Sequence, residues 1–148
     1  MPKYLITISG PTAIGKTALS IELARHFQTE ILSADSRQFF QELKIGTAVP
    51  EPEELDAAPH HFIQHISITE NYSVGDFERD AIRKLEEIYQ KQDMAIMVGG
   101  SGLYLKAITQ GLDDFPEVDP AIRLKLKQQL EEEGIDRLQK ELFRHALQ

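Results

Sequence analysis

Residues 3–20, KYLITISGPTAIGKTALS, place an apolar β-forming run, a loop bracketed by glycines and the start of a helix in immediate succession. This order constrains the fold more than any other feature of the chain. Gly10 and Gly15, with Lys16 and Thr17 directly after the second, let the backbone turn so tightly that successive N–H groups point into one concavity, and such a nest binds anions. Lys16 supplies a point charge for terminal phosphates, and the Thr17 hydroxyl stands where it can coordinate Mg²⁺ at the start of the helix. The flanks fit: KYLITIS (3–9) reads as a strand, and TALSIELARHF (17–27) places Leu19, Leu23, Ala24 and Phe27 on one helical face. Strand, glycine loop and helix are the setting this spacing requires.

Three further strands are expected, EILSA (30–34), HHFIQHIS (60–67) and MAIMV (94–98). Between the last two, SVGDFERDAIRKLEEIYQKQ carries Phe77, Ala81, Leu85 and Ile88 at helical spacing, with Ser73 and Asp76 placed for a capping box. Strands alternating with helices define an α/β fold, a P-loop NTPase-like and mostly parallel sheet flanked by helices. The stretch 46–59, with three prolines and four acids, reads as an exposed loop. From Asp119 the pattern becomes purely helical, with Asp119 as N-cap, Pro120 at the first helical position and Gly134 as a stop. The expected division is therefore an α/β core over 1–112 and the beginning of an all-helical insertion over 113–148. The last helical segment reaches Gln148 without a capping glycine, a proline or a polar tail, which reads as a truncated chain.

Composition narrows the chemistry. With no cysteine among 148 residues, disulfides, thiolate zinc sites and cysteine nucleophiles are excluded. No apolar run approaches the ~18 residues of a membrane span, and the N-terminus lacks the pattern of a signal peptide, so a soluble cytoplasmic protein without membrane partners is expected. The net charge of −8 argues against binding nucleic acid through bulk electrostatics. His60 and His61 are strand neighbours that face opposite ways and cannot readily grip one metal ion; the run Glu131–Glu133 reads as a solvated helix face.

In an open parallel sheet, ligands gather at the carboxyl ends of the strands. Three loops qualify: the glycine loop, SADSRQ (33–38) and GGSG (99–102). The second offers a carboxylate in Asp35, a guanidinium in Arg37 and an amide in Gln38, a mixture suited to a polar heterocycle. Asp35–Ser36 is equally a plain helix N-cap, and GGSG equally a tight turn opening the next helix. A nucleotide hydrolase of this loop class usually carries an acid after another apolar strand. MAIMVGG ends instead in glycines, so only Asp35 could serve, and an acid among acceptor-gripping residues favours group transfer over hydrolysis. A small-molecule kinase using ATP stays compatible with the loop and sheet.

Six blocks, GPTAIGKT (10–17), SADSRQFF (33–40), KIGTAVP (44–50), HHFI (60–63), YSVGDF (72–77) and VGGSGLYLKAI (98–108), resemble the motifs of the tRNA dimethylallyltransferases, also called tRNA isopentenyltransferases, in the same order and with similar gaps. Four positions depart from the family pattern: Ser101 where Thr is usual, Val49 for Lys, Phe40 for Tyr, and Ile14 for Ser or Val. Ser101 keeps the hydroxyl, whereas Val49 cannot replace an ammonium. The resemblance implies that Gly10, Pro11, Thr12, Ala13, Ile14, Gly15, Lys16 and Thr17 hold the diphosphate of dimethylallyl diphosphate with Mg²⁺ at Thr17. It implies that the dimethylallyl group passes to the exocyclic amine of the adenine 3′ to the anticodon. Asp35, Lys16 and Thr17 would then be catalytic, and Asp35, Ser36, Arg37, Gln38, Ser101 and Arg123 would meet the tRNA anticodon stem-loop. Transfer to free AMP, ADP or ATP is the related alternative. Family members run longer, so these 148 residues alone are expected to be a monomer that binds tRNA weakly and turns over little.

Overall fold

The computed structural model describes residues 1–113 and 118–146. It divides into two compact units, Met1–Leu112 and Asp113–Gln148. In the first, the elements run β1 (Tyr4–Ser9), α1 (Lys16–Phe27), β2 (Ile31–Ser33), a 3₁₀ turn (Ser36–Gln38), α2 (Pro52–Ala57), β3 (His60–His61), α3 (Val74–Tyr89), β4 (Met94–Gly99) and α4 (Gly102–Gln110). The four strands form one parallel sheet in the order β1-β4-β2-β3. Register decides the position of the site: Ser9 pairs with Gly99 and Ser33 with Val98, so β1, β4 and β2 end level with one another.

The central strands β4 and β2 are buried on both faces, as parallel strands covered by helices must be, while the edge strands β1 and β3 are only partly covered; the alternation of β2 and β4 sorts the core into two layers. Leu32, Ala95 and Met97 face α3 and α4 in a cluster with Phe39, Phe77, Ala81, Leu85, Ile88 and Leu105. Ile31 and Ile96 face the other way, with Ile8, Ala24 and Ala58. Helix α3 buries the four residues its spacing predicts, Phe77, Ala81, Leu85 and Ile88. Its start is fixed by a reciprocal capping box, in which Ser73 Oγ accepts from the Asp76 amide at 3.1 Å and Asp76 Oδ2 accepts from the Ser73 amide at 2.8 Å.

Three expectations are corrected. Of the α1 face expected from spacing, Ala24 is buried, Leu23 packs against the core and Phe27 is half-buried, but Leu19 is 47% exposed and Ser20 takes the covered position beside Ala24. Small side chains one turn apart let the helix approach the sheet closely, and the Ser20 hydroxyl is satisfied by donating to the Thr17 carbonyl at 2.7 Å. The strand expected over 60–67 stops after His61, because Phe62 (φ 65) and Gln64 (φ 49) turn into the left-handed region. Extended pairing resumes only as a bridge between Phe40 and Ile66. The loop expected over 46–59 contains α2, which opens with Pro52 at its first turn and a capping box between Glu51 and Glu54.

In the second unit, α5 (Pro120–Glu133) and α6 (Ile135–Ala146) form the helical pair, with Asp119 Oδ1 accepting from the Ala121 amide at 2.9 Å and Gly134 (φ 77) ending α5. The run Glu131–Glu133 is exposed. No helix among the described residues is long and apolar enough to cross a membrane.

Phe77 is fully buried and stacks on Phe39 with ring centroids 5.2 Å apart. Phe77→Ala is expected to cost ~3–5 kcal/mol, whereas Leu19→Ala should stay within ~0.5 kcal/mol. Urea unfolding of the two variants tests whether Leu19 lies outside the covered face of α1.

Candidate active site

The glycine loop leaves β1 at Ser9 and turns through Ala13 (φ 63) and Gly15 (φ 92), both left-handed, into α1. Gly15 is the N-cap, no side chain caps the helix and its first turn holds no acid. The first amides of α1 and the positive end of its dipole are thus left to an anion. The Lys16 ammonium donates to the Pro11 carbonyl, which puts the charge across the mouth of the same loop.

The second loop is positioned by its neighbour in sequence. Phe39 is 1% exposed and sits among Phe77, Tyr72 and Tyr104, so the turn Ser36–Gln38 just before it is held over the end of β2. Asp35 Oδ1 accepts from the Arg37 amide at 3.1 Å, so the N-cap reading is correct. The cap occupies one oxygen only, and Asp35 also lines the cavity described below. The third loop is tied to the second: Ser101 Oγ accepts from the Ser36 amide at 3.2 Å and lies 3.4 Å from Ser36 Oγ. Beneath this contact the Ala34 amide donates to the Val98 carbonyl at 2.8 Å. Gly99 packs so closely that a Cβ there would overlap the Ala34 carbonyl carbon and oxygen. A Cβ on Gly100 would in turn reach the Gly10 carbonyl at 3.6 Å, so the first and third loops also touch.

Between the loops lies a cavity of ≈ 280 Å³. One wall is Thr12, Ala13, Gly15, Lys16 and Thr17; another is Ser33, Asp35 and Gln38; Val98 and Gly99 belong to the sheet end. Of the residues singled out from sequence, Gly10, Pro11, Ile14, Ser36, Arg37 and Ser101 stand behind or outside this lining. Arg37 is exposed at the turn and Ile14 is 61% exposed. Arg123 lies on α5 in the second unit.

Sequence reasoning missed Ala48, Pro50, Glu54, His60 and Ile63, which complete the wall. Ala48, Pro50, His60 and Ile63 fall within the blocks KIGTAVP and HHFI, whereas Glu54 lies in neither. His60 Nδ1 lies 2.7 Å from the Ala58 carbonyl, so that nitrogen carries the proton, and Nε2 is buried without a partner among the described residues. Burial pushes the His60 pKa down, outweighing the Ala58 bond and the nearby Glu54. His61 pairs instead with Glu30. Among the described residues no group of three or more His, Cys, Asp or Glu is placed to hold a metal ion.

The parallel sheet, the glycine loop and the open N-terminus of α1 define the class: an α/β protein of P-loop NTPase-like fold in which an uncapped helix start and an acid line one cavity. Residues 38–146 match the model of the IPP transferase family. The chain is 71% identical to a tRNA dimethylallyltransferase of Christiangramia forsetii over 97% of its own length and 47% of that relative's. Its structure is similar to that of the full-length tRNA isopentenylpyrophosphate transferase from Bacillus halodurans, with 34% identity and a TM-score of 0.73 over 96% of this chain and 47% of the other. It is also similar to a eukaryotic dimethylallyltransferase acting on tRNA, with 28% identity and a TM-score of 0.71 over 82% of this chain and 31% of the other. The chain belongs to the IPP transferase family, and it spans about half the length of the relatives it matches in sequence.

Two outcomes test this geometry. Gly99→Ala forces β4 away from Ala34 and is expected to cost ~1–3 kcal/mol or more, read by urea unfolding. Because the folded pKa of His60 lies below its unfolded value, its contribution to stability is full above about pH 6.5 and is lost as pH falls toward the folded pKa. The thermal midpoint should therefore drop between pH 7.5 and 5.5, and His60→Asn, which keeps a donor for Ala58, should flatten that drop.

Proposed function

We propose that this chain forms the diphosphate-holding and acceptor-activating part of a tRNA dimethylallyltransferase. It would transfer a dimethylallyl group from dimethylallyl diphosphate to the exocyclic amine of the adenine 3′ to the anticodon. The observation that carries the reading is the shared cavity: Lys16, Thr17 and the amides of the α1 start line one side, and the Asp35 carboxylate lines another. The names of the relatives support the substrate class.

In this reaction the adenine amine attacks the allylic carbon, the carbon–oxygen bond to diphosphate breaks, and the diphosphate leaves with the bonding electrons. Asp35 accepts the proton that the amine loses. The loop amides and Lys16 stabilise the negative charge that grows on the leaving oxygen, in fixed positions that need no reorganisation. Thr17 offers one hard hydroxyl oxygen at the end of the loop, and a divalent ion there would draw its other ligands from substrate phosphate and water, the usual manner of Mg²⁺. Mg²⁺ held at Thr17 would supply further charge neutralisation to the diphosphate. Gln38 lines the wall beside the adenine, the Ser36–Ser101 contact holds that wall from behind, and Ser36, Ser101, Arg37 and Arg123 are the further RNA contacts. The acceptor base must be unstacked to enter, as in other enzymes that act on a base.

The test is incubation of a full-length protein carrying this chain with dimethylallyl diphosphate, Mg²⁺ and unmodified tRNA that reads codons beginning with U. A mass gain on adenosine is expected, and excess free AMP or ATP should not divert the group. Asp35→Asn should lower kcat by ~10²–10⁴-fold. Lys16→Ala should be at least as damaging and should also raise KM for the diphosphate. Absence of a gain with every tRNA contradicts the reading.

A further inference from the structure

The segment between Glu42 and Pro50 is a loop, yet it is fixed at three places. Glu42 accepts from Ser67 Oγ at 2.7 Å and from the Ile68 amide at 2.9 Å, which ties down its start. The buried Thr47 hydroxyl donates to the Leu43 carbonyl at 2.8 Å and lies 3.2 Å from that of Lys44, closing the turn from inside. The Gln38 amide, itself held by Ser33 Oγ at 3.0 Å, reaches the carbonyls of Thr47 and Ala48 at 3.3 and 2.8 Å. Gly46 (φ 76) takes a left-handed turn without cost, whereas Ala48 (φ 52) keeps one only where its surroundings impose it.

What this bracing displays is Ile45, 98% exposed, next to the exposed Lys44. A single exposed isoleucine means little by itself. This one stands three residues from Ala48, which with Pro50 lines the cavity. Three residues span at most about 11 Å, so Ile45 lies within reach of whatever protrudes from the cavity mouth. A rigid tip loses little conformational entropy when it binds.

We propose that this loop is a reading element of the acceptor side, in which Ile45 packs against the face of the nucleotide next to the acceptor adenine and Lys44 meets its phosphate. Gln38 then acts as a positioning residue, since its amide holds the loop to the cavity wall. The proposal rests on the functional reading above and adds an RNA contact to it. Unstacked bases are recognised through their flat faces by packed side chains, and an aliphatic tip beside a cation suits a base followed by a phosphate.

The experiment uses a full-length protein carrying this chain, with Ile45→Ser, and an unmodified tRNA anticodon stem-loop made with each base beside the acceptor adenine intact or removed in turn. Ile45→Ser is expected to raise KM for the RNA about five- to tenfold, leaving KM for dimethylallyl diphosphate and the thermal midpoint unchanged. Removing one of the neighbouring bases should weaken the unaltered protein by a similar factor and the variant hardly at all. Because Gln38 also lines the cavity, its positioning role is read from the base removal: Gln38→Leu should become as insensitive as Ile45→Ser to loss of that neighbouring base, and Gln38→Glu, which keeps only the Ser33 bond, should not restore the sensitivity. Normal turnover with an unchanged RNA KM overturns the proposal, as does a lowered thermal midpoint with unchanged RNA binding, which would mean that protein covers Ile45. No product from the unaltered protein removes the functional reading and this proposal with it.

Discussion

The close approach of β4 to β2 at Gly99 and Ala34 governs the rest of the site. The Ala34 amide bonds the Val98 carbonyl and the missing Cβ at Gly99 lets the two backbones meet, so the loops that follow these strands start side by side. Ser101 then reaches Ser36, and β1, in register with β4 to its last residue, brings the glycine loop alongside. The uncapped amides of the glycine loop and the Asp35 carboxylate arrive at one cavity because three parallel strands end level. No long side chain has to span the gap.

The same arrangement explains how an acidic chain can be assigned to RNA chemistry. Its net charge is −8, and the positive features that matter are local: an uncapped helix start, Lys16 and the exposed Arg37. The first two act at short range inside the cavity, where fixed dipoles and charges are little screened by solvent ions, while Arg37 stands exposed outside it. The charge of the whole chain governs encounter with a polyanion, while the charge of the cavity governs the chemistry within it.

Much of this was legible in the amino-acid order, for identifiable reasons. The glycine loop is a local device whose spacing encodes its shape, and α3 carries its apolar period and its capping box within one helix. The level strand ends gave three loops a common location before any coordinates. The misreadings have a shared cause: they depend on what a segment packs against. Leu19 fits an apolar period with Ala24, but only Ala24 is covered, and the small polar Ser20 takes the other close contact with the sheet. Phe62 and Gln64 look extended in sequence, yet they turn left-handed so that the Gln64 amide can donate to the Gln38 carbonyl at 2.7 Å. Glu51, Pro52 and Glu54 are a helix start that reads as a loop when prolines and acids are counted without regard to their positions. Pro50 and His60 belong to recognisable blocks and Glu54 to none, but for all three the place in a wall facing Asp35 is set by packing and not by local sequence.

The central claim is that one cavity holds the diphosphate on the glycine loop and turns the allylic carbon toward Asp35. A crystal structure with an unreactive thio analogue of dimethylallyl diphosphate tests it most directly. The account predicts the phosphates on the amides of residues 12–17 with Lys16 turned onto them, and the allylic carbon on the Asp35 side of the cavity. Phosphates bound elsewhere, or an allylic chain directed away from Asp35, would contradict it.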